Sequence, residues 1–124
     1  MRVVSVTEER TIRTPGGEVF ALAGPSQGSA ELSTWRVRME QANEGPVHEI
    51  DREQVWMPIT GAFAITIDGQ VTTVGAGQAA ILPAGVTRQV RVAQGPAEAL
   101  VCMPVGGTAS TPDTPQRREL PWAH

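Results

Sequence analysis

The chain has 124 residues and a formal net charge of -3, and it contains neither lysine nor tyrosine. This length fits one domain with a single hydrophobic core. The negative charge argues against a nucleic-acid partner, because phosphate binding needs clustered positive charge. The lack of lysine excludes Schiff-base chemistry. No apolar run reaches the roughly 18 residues that a membrane helix needs, so no membrane partner is expected.

The chain has a single cysteine, Cys102, which has no partner for an internal disulfide. Such cysteine use favours a reducing compartment, and the expected location is the cytoplasm. Thirteen glycines and ten prolines favour short strands separated by turns over long helices.

The predicted elements are all β-strands. In chain order they cover residues 3–6, 18–24, 31–41, 48–50, 54–60, 62–67, 70–74, 78–82, 87–92 and 98–105, of which the first two are weak. Trp35, Val37 and Met39 occupy every second position of their segment, and polar residues lie between them. This alternation is typical of a half-buried strand. Asp68 and Gly69 predict a tight hairpin turn between two segments. About eight short strands with frequent turns predict a single all-β domain, a sandwich or a barrel.

Residues 106–124 form a final segment rich in glycine, proline and threonine. Their polar composition predicts a C-terminal tail outside the barrel domain, which is expected to span residues 1–105. Trp122 stands out in this tail, because an exposed tryptophan is unusual. Two alternatives remain: the end of the chain docks through Trp122 into the barrel mouth or onto a partner, or it is unstructured.

Two segments carry glycine and proline at a characteristic spacing, and the first of them also carries a histidine. The first covers residues 42–61, includes GPVHEIDREQ and ends at Gly61. The second is GQAAILPAGVTRQV, residues 77–90, with Gly77, Pro83 and Gly85 at its turns. These segments resemble the two sequence motifs of the cupin family, and the resemblance covers about residues 30–105. It implies a double-stranded β-helix, the jelly-roll barrel of the cupins.

The resemblance also implies four metal-ligand positions that point into the barrel. They are occupied here by His48, Ile50, Gln54 and Arg88, and Ala42 replaces a motif glycine. Ile50 cannot bind a metal, and Arg88 stays protonated and repels a cation. No metal or other cofactor is therefore expected. If a metal binds, the residues to hold it are His48 with Gln54 or Glu53.

The same positions suggest a metal-free chemistry. We expect His48 to transfer a proton, Arg88 to stabilise an oxyanion, and Gln54 to orient the substrate or a water. The expected apolar walls of the substrate site are Trp35, Val37, Met39, Ile50, Trp56, Phe63 and Ile65. A structural alternative stays open for each charged group. Arg88 could pair with Glu49 or Glu53, and His48 could be a core histidine.

The resemblance bears on the reaction class, since cupins similar to this chain act as cyclases, epimerases or isomerases in bacterial biosynthesis. We therefore expect a metal-independent enzyme of this kind in bacterial secondary metabolism, with a carbonyl- or carboxylate-bearing substrate. One alternative is a metal-dependent cupin, such as a dioxygenase or zinc epimerase. Another is a non-catalytic ligand-binding cupin. The expected partners are a small-molecule ligand and a second copy of the chain, because cupin relatives form homodimers through sheet edges.

Overall fold

A computed structural model describes all residues, 1–124, and shows a curled sheet of ten strands. The strands are β1 (Thr11–Thr14), β2 (Gly17–Ala21), β3 (Leu32–Met39), β4 (His48–Ile50), β5 (Gln54–Ile67), β6 (Gln70–Gly75), β7 (Ala80–Leu82), β8 (Thr87–Pro104), β9 (Thr108–Thr111) and β10 (Thr114–Glu119). Short 3-10 helices cover Glu8–Arg10, Pro25–Gln27 and Pro121–Ala123. The all-β prediction is confirmed. The structure contains no helix with the length and apolar character that a bilayer crossing requires.

The two longest strands, β5 and β8, pair antiparallel and organise the barrel. β3 and β4 pair with opposite ends of β8, while β6 and β7 pair with opposite ends of β5. The sequence predicts two shorter strands in place of each long one. In β5 the buried residues are Gln54, Trp56 and Pro58 before Gly61, but Phe63 and Ile65 after it. The inward-facing positions therefore change from even-numbered to odd-numbered residues at Gly61, while the strand continues without a break.

Both ends of the chain differ from the prediction. Residues 3–6 have no regular secondary structure, and the first strand is β1. Residues 106–124 contribute β9 and β10, and β9 pairs with β4 of the barrel. The Asp51 carboxylate supports this pairing by accepting hydrogen bonds from the Thr108 amide (2.7 Å) and hydroxyl (2.9 Å). The sheet thus extends past residue 105, because backbone pairing does not require apolar composition.

The inward side chains form one hydrophobic core. Phe63 is fully buried and meets Trp56 edge to face, with 5.5 Å between the ring centroids. Burying a side chain of this size contributes about 1.5–3 kcal/mol. The inward face of β3 is buried as its alternation predicts, and comprises Ser33, Trp35, Val37 and Met39. Only three buried residues are polar or charged, namely Ser33, Gln54 and Arg88. Two of these three occupy positions that the cupin motifs assign to the site.

The predicted hairpin at Asp68-Gly69 is confirmed. Ile67 pairs directly with Gln70, so the turn has two residues. Both have positive φ angles, 51° for Asp68 and 75° for Gly69. This conformation matches the right-handed twist of the two strands.

Two glycines with positive φ make a matched pair for a stability test. Gly61 has a φ of 66°, and a Cβ there would overlap the carbonyl oxygens of Gln94 and Pro96. A Cβ at Gly69 would meet nothing within 4 Å. We expect Gly61→Ala to lower the free energy of unfolding by about 3 kcal/mol, through strain and overlap. Gly69→Ala is expected to lower it by only about 1 kcal/mol. Urea denaturation of both variants checks the difference, and equal losses would contradict the close approach at Gly61.

Candidate functional site

A partly open cavity of about 210 Å³ lies within the barrel and is lined mainly by apolar side chains. Five of the seven predicted wall residues line it, namely Trp35, Val37, Met39, Ile50 and Trp56. The other two, Phe63 and Ile65, belong to the core and do not reach the cavity. Phe63 packs against Trp56, and Trp56 is the one of the two that lines the cavity. No residue that lines the cavity carries a carboxylate or a guanidinium group.

His48 lies at the start of β4 and lines the cavity. Its Nδ1 lies 2.8 Å from the carbonyl oxygen of Pro46. Because a carbonyl oxygen only accepts, Nδ1 carries the proton, and Nε2 is the basic atom of the neutral ring. Burial lowers the pKa of His48; the bond to Pro46 opposes this shift, and the positive charge of Arg88 adds to it. His48 also borders a polar groove on the outer surface, so it lies between the cavity and solvent.

Gln54 is buried at the start of β5 and also lines the cavity. Its Oε1 accepts a hydrogen bond from the indole of Trp56 at 3.4 Å. Its Nε2 faces Met103 Sδ at 3.6 Å, and a thioether is a weak acceptor. The amide N–H groups of Gln54 are therefore able to donate to a ligand oxygen.

Arg88 is buried at 1% exposure and lies directly opposite His48 in the pairing of β8 with β4. Its Nη2 donates to the carbonyl oxygen of Pro83 at 3.0 Å, whereas Nε and Nη1 have no partner. Glu49 does not form an ion pair with Arg88, because it pairs with Arg117 at 2.8 Å. Burial lowers the pKa of Arg88, and the charge of Glu49 opposes this shift.

The position of Arg88 separates it from the ligand space. Arg88 is not among the residues that line the cavity, although it lies beside His48. Its effect on the cavity is therefore electrostatic, through the pKa of His48. The alternative pairing of Arg88 with Glu53 is also not formed, since Glu53 is exposed.

The side chains around the cavity do not fit a metal ion. They offer one imidazole, His48, while Ile50 has no donor atom and Gln54 is a weak amide ligand. Glu53 is exposed and lies outside the cavity. No group of three or more His, Cys, Asp or Glu side chains anywhere in the chain is placed to hold a metal.

The C-terminal segment supplies one wall of the cavity, in addition to the walls predicted from the sequence. Its contributions are Ala109, Thr111, Leu120 and Trp122. Trp122 meets Trp35 edge to face, with 6.3 Å between the ring centroids. The turn that carries it is anchored because Ser33 Oγ donates to the carbonyl oxygen of Ala123 at 2.5 Å. The unusual C-terminal tryptophan was the one signal in the sequence that pointed to this wall.

Comparison with known families agrees with this architecture. The profile of the family described as "Cupin domain" matches residues 35–110, which is more than half of the chain. The chain belongs to the cupin family. The double-stranded β-helix that the motifs imply is thereby confirmed. A search of curated proteins finds no match to this cupin.

Solved structures of several other proteins are similar in fold. The polyketide cyclase RemF from Streptomyces resistomycificus has a TM-score of 0.73 and 20% identity, over 97% of this chain and 85% of that chain. The DMSP lyase DddQ from Ruegeria pomeroyi has a TM-score of 0.62 and 20% identity, and oxalate decarboxylase from Bacillus subtilis has 0.72 and 17%. This chain is covered to 71% and 83% in these two comparisons, and it spans only 46% of the lyase and 29% of the decarboxylase. At these identities the likeness shows the fold alone.

Proposed function

We propose that this cupin is a metal-independent isomerase, epimerase or cyclase that acts on a small carbonyl compound. The observation that carries the proposal is the state of His48. It is the only titratable residue that lines the apolar cavity. Its Nδ1 is held by Pro46, which leaves Nε2 as the basic atom, and its lowered pKa keeps the ring neutral near pH 7. A neutral imidazole with an uncommitted Nε2 is able to act as a general base.

The proposed reaction begins when Nε2 of His48 removes a proton from the carbon next to a substrate carbonyl. The C–H bond breaks, and its electron pair moves through the new C=C bond onto the carbonyl oxygen. A side-chain N–H of Gln54 donates a hydrogen bond to this enolate oxygen. Return of the proton to another atom gives an isomer. Attack of the enolate carbon on a second carbonyl of the same molecule closes a ring, and His48 then gives its proton to the new alkoxide.

Arg88 has a different role in this proposal from the one predicted from the sequence. Gln54, which lines the cavity, takes the part of oxyanion donor that was assigned to Arg88. Arg88 lies beside His48 and its positive charge lowers the pKa of that residue. It therefore favours the neutral imidazole that accepts the substrate proton. A wall of apolar side chains supports the same step by excluding water from the enolate.

The similar structures support a small-molecule reaction without selecting one. RemF is described as a polyketide cyclase and resembles this chain over nearly its whole length. A cyclase that acts through an enolate is consistent with a cavity that has one base and an amide donor. A bacterial source, a role in secondary metabolism and a cytoplasmic location stay predictions.

The experiment is hydrogen–deuterium exchange at the α-carbon. The protein is incubated in D₂O with a panel of enolisable ketones, both aromatic and aliphatic, and loss of the α-proton signal is followed by NMR. Wild-type protein is expected to accelerate exchange of at least one ketone, equally before and after treatment with a chelator. Acceleration that is lost with the chelator and restored by a divalent metal would support the metal-dependent alternative. Binding without exchange would support a non-catalytic ligand-binding cupin.

The homodimer also stays a prediction, and the outer face of the sheet is where we propose that it forms. Exposed apolar side chains on β3, β5, β7 and β8 lie there, namely Leu32, Met57, Ile59, Ile81 and Leu100. Met57 lies directly beside Leu100 in the pairing of β5 with β8. No part of the chain covers this face, and a second copy presents the same apolar face for an isologous contact.

A charge placed on this face tests the dimer. Met57→Glu is expected to convert the wild-type dimer into a monomer, because the contact would bury an unpaired carboxylate. The molar mass from light scattering after size exclusion measures the change. Val71→Glu is the matched control, since Val71 is an exposed apolar residue on β6, outside this face. A monomeric wild-type protein, or the same loss of mass in both variants, would contradict the prediction.

A further inference from the structure

All three tryptophans of the chain line the cavity that contains His48. They come from distant parts of the sequence: Trp35 lies on β3, Trp56 on β5, and Trp122 in the C-terminal segment. Two of them, Trp35 and Trp122, form an edge-to-face pair. Aromatic side chains favour further flat groups, on which they pack offset-stacked or edge to face. The lining therefore favours a flat, conjugated ligand over a saturated one of the same size.

The charge of the lining points to a neutral ligand. None of the lining residues carries a formal charge at neutral pH, because the only titratable one is His48 and its pKa is lowered. Arg88, the nearby cation, is not among them. A carboxylate in this cavity would find no charged side chain in the lining to replace its lost water, and only the charge of Arg88 beside His48 would oppose that cost.

The lining also contains a free hydrogen-bond donor. The Nε1 of Trp122 is buried and has no hydrogen-bond partner in the protein. Buried indole N–H groups usually find an acceptor. The threonine hydroxyls of the lining are engaged with backbone groups, Thr14 with Gly16 and Gly17, and Thr111 with Thr114. Among the residues that line the cavity, Trp122 therefore carries the one buried donor that the protein leaves without a partner.

We infer that the ligand of this cavity is a neutral, flat, conjugated carbonyl compound of about two fused rings, and that Trp122 is the residue that selects it. The size follows from the volume, since a cavity of about 150 Å³ accommodates benzene and this one has about 210 Å³. The inference rests on the proposed function, because it takes the cavity at His48 as the reaction site.

Isothermal titration with matched probes tests the ligand class. The flat neutral probe is 2-acetylnaphthalene; 2-naphthoate carries a charge, and 2-acetyldecalin has saturated rings. Wild-type protein is expected to bind the flat ketone about a hundredfold more tightly than the carboxylate. The flat ketone should also bind about fivefold more tightly than the saturated one. Tighter binding of the carboxylate, equal binding of the two ketones, or no binding of the flat ketone at millimolar concentration would each overturn the inference.

Two substitutions test the part played by Trp122. Trp122→Phe keeps a flat ring and removes the N–H, so binding of 2-acetylnaphthalene should weaken about threefold while that of naphthalene stays unchanged. Trp122→Leu removes the ring, so the preference for the flat over the saturated ketone should fall about fivefold. Thermal unfolding of both variants checks that they are folded. An unchanged preference in folded Trp122→Leu protein, or equal weakening of both ligands in Trp122→Phe, would overturn the selecting role.

The proposed function is tested by proton exchange, whereas the ligand class is tested by binding, so the two can fail separately. If 2-acetylnaphthalene binds with the expected preference but its methyl protons do not exchange with D₂O, the ligand class stands and the general-base role of His48 does not. If a saturated ketone or a carboxylate ligand exchanges its α-protons and the flat ketone does not bind, the general-base role of His48 stands and the ligand class does not.

Discussion

Replacing His48 by glutamine is expected to slow α-proton exchange of a bound ketone by about a hundredfold to ten-thousandfold, the usual contribution of a positioned general base. Glutamine retains a polar side chain of similar reach but cannot accept a proton at neutral pH. The cavity and its apolar walls are left in place, so ligand affinity should change far less than the rate. Initial exchange rates at saturating ketone, measured by NMR, give the comparison.

The second histidine of the chain provides the matched control. His124 lies at the C-terminus, pairs with Glu119 at 3.1 Å and does not line the cavity. We expect His124→Gln to leave the exchange rate unchanged. A retained rate in His48→Gln, or an equal loss in the two variants, would remove His48 from the mechanism.

The pH dependence of exchange follows from the direction of the His48 pKa shift. Only the neutral ring acts as a base, so the rate rises with pH through the pKa of His48 and is constant above it. Because burial lowers this pKa from its ordinary value of 6.5, the rate should reach its plateau at a lower pH than an exposed histidine would allow. A midpoint above 6.5 would contradict the buried environment.

Replacing Arg88 by methionine is expected to raise the free energy of unfolding by about 1–4 kcal/mol, by analogy with the range seen when buried ion pairs give way to apolar residues of similar volume. The guanidinium is buried at 1% exposure, forms one hydrogen bond to Pro83, and leaves Nε and Nη1 without partners. Methionine fills the same space and brings no charge. Urea denaturation measures the gain.

An exposed arginine on the same strand controls for the chemistry of the substitution. Arg91 is exposed and pairs with Glu44 at 3.2 Å. Surface ion pairs contribute about 0–1 kcal/mol, so Arg91→Met should change stability little. If Arg88→Met instead destabilises the protein by several kcal/mol, the buried guanidinium is compensated by its surroundings.

The same Arg88 substitution has a predicted effect on pH. The charge of Arg88 lowers the pKa of His48, so Arg88→Met should move the midpoint of the exchange profile to higher pH. The sign for stability follows from the same shift. A histidine whose folded pKa lies below its unfolded value loses stability as pH falls from that unfolded value to the folded one. In Arg88→Met this acid loss should be smaller.

The fold could be predicted because its signals are local. Alternation on β3 and the Asp68-Gly69 turn act within a few residues, and the motif glycines and proline set turns at fixed spacing. The candidate base and the amide were found in the same way, since the cupin motifs place His48 and Gln54 on inward positions. Both line the cavity.

Two features of the site could not be predicted, because they depend on depth within the barrel. Alternation indicates correctly that Phe63 and Arg88 point inward, and both are buried. It does not say how far along the barrel the cavity extends, and neither residue lines it. The C-terminal wall was predicted only in part, because docking of Trp122 into the barrel mouth was one of two alternatives and the strands β9 and β10 were not predicted. These polar strands are held by backbone pairing of β9 with β4 and of β10 with β9, which leaves little trace in the side-chain pattern.

By itself, the sequence determined an all-β cupin barrel with one histidine, one amide and no metal-binding set at its motif positions, because turn residues and strand alternation are local properties of the chain. Only the tertiary structure decided that Arg88 lies opposite His48 but outside the cavity lining, and that Trp122 joins Trp35 and Trp56 around a cavity without charged side chains. Those relations join residues far apart in sequence. They follow from the pairing of β4 with β8 and β9, which no local pattern encodes.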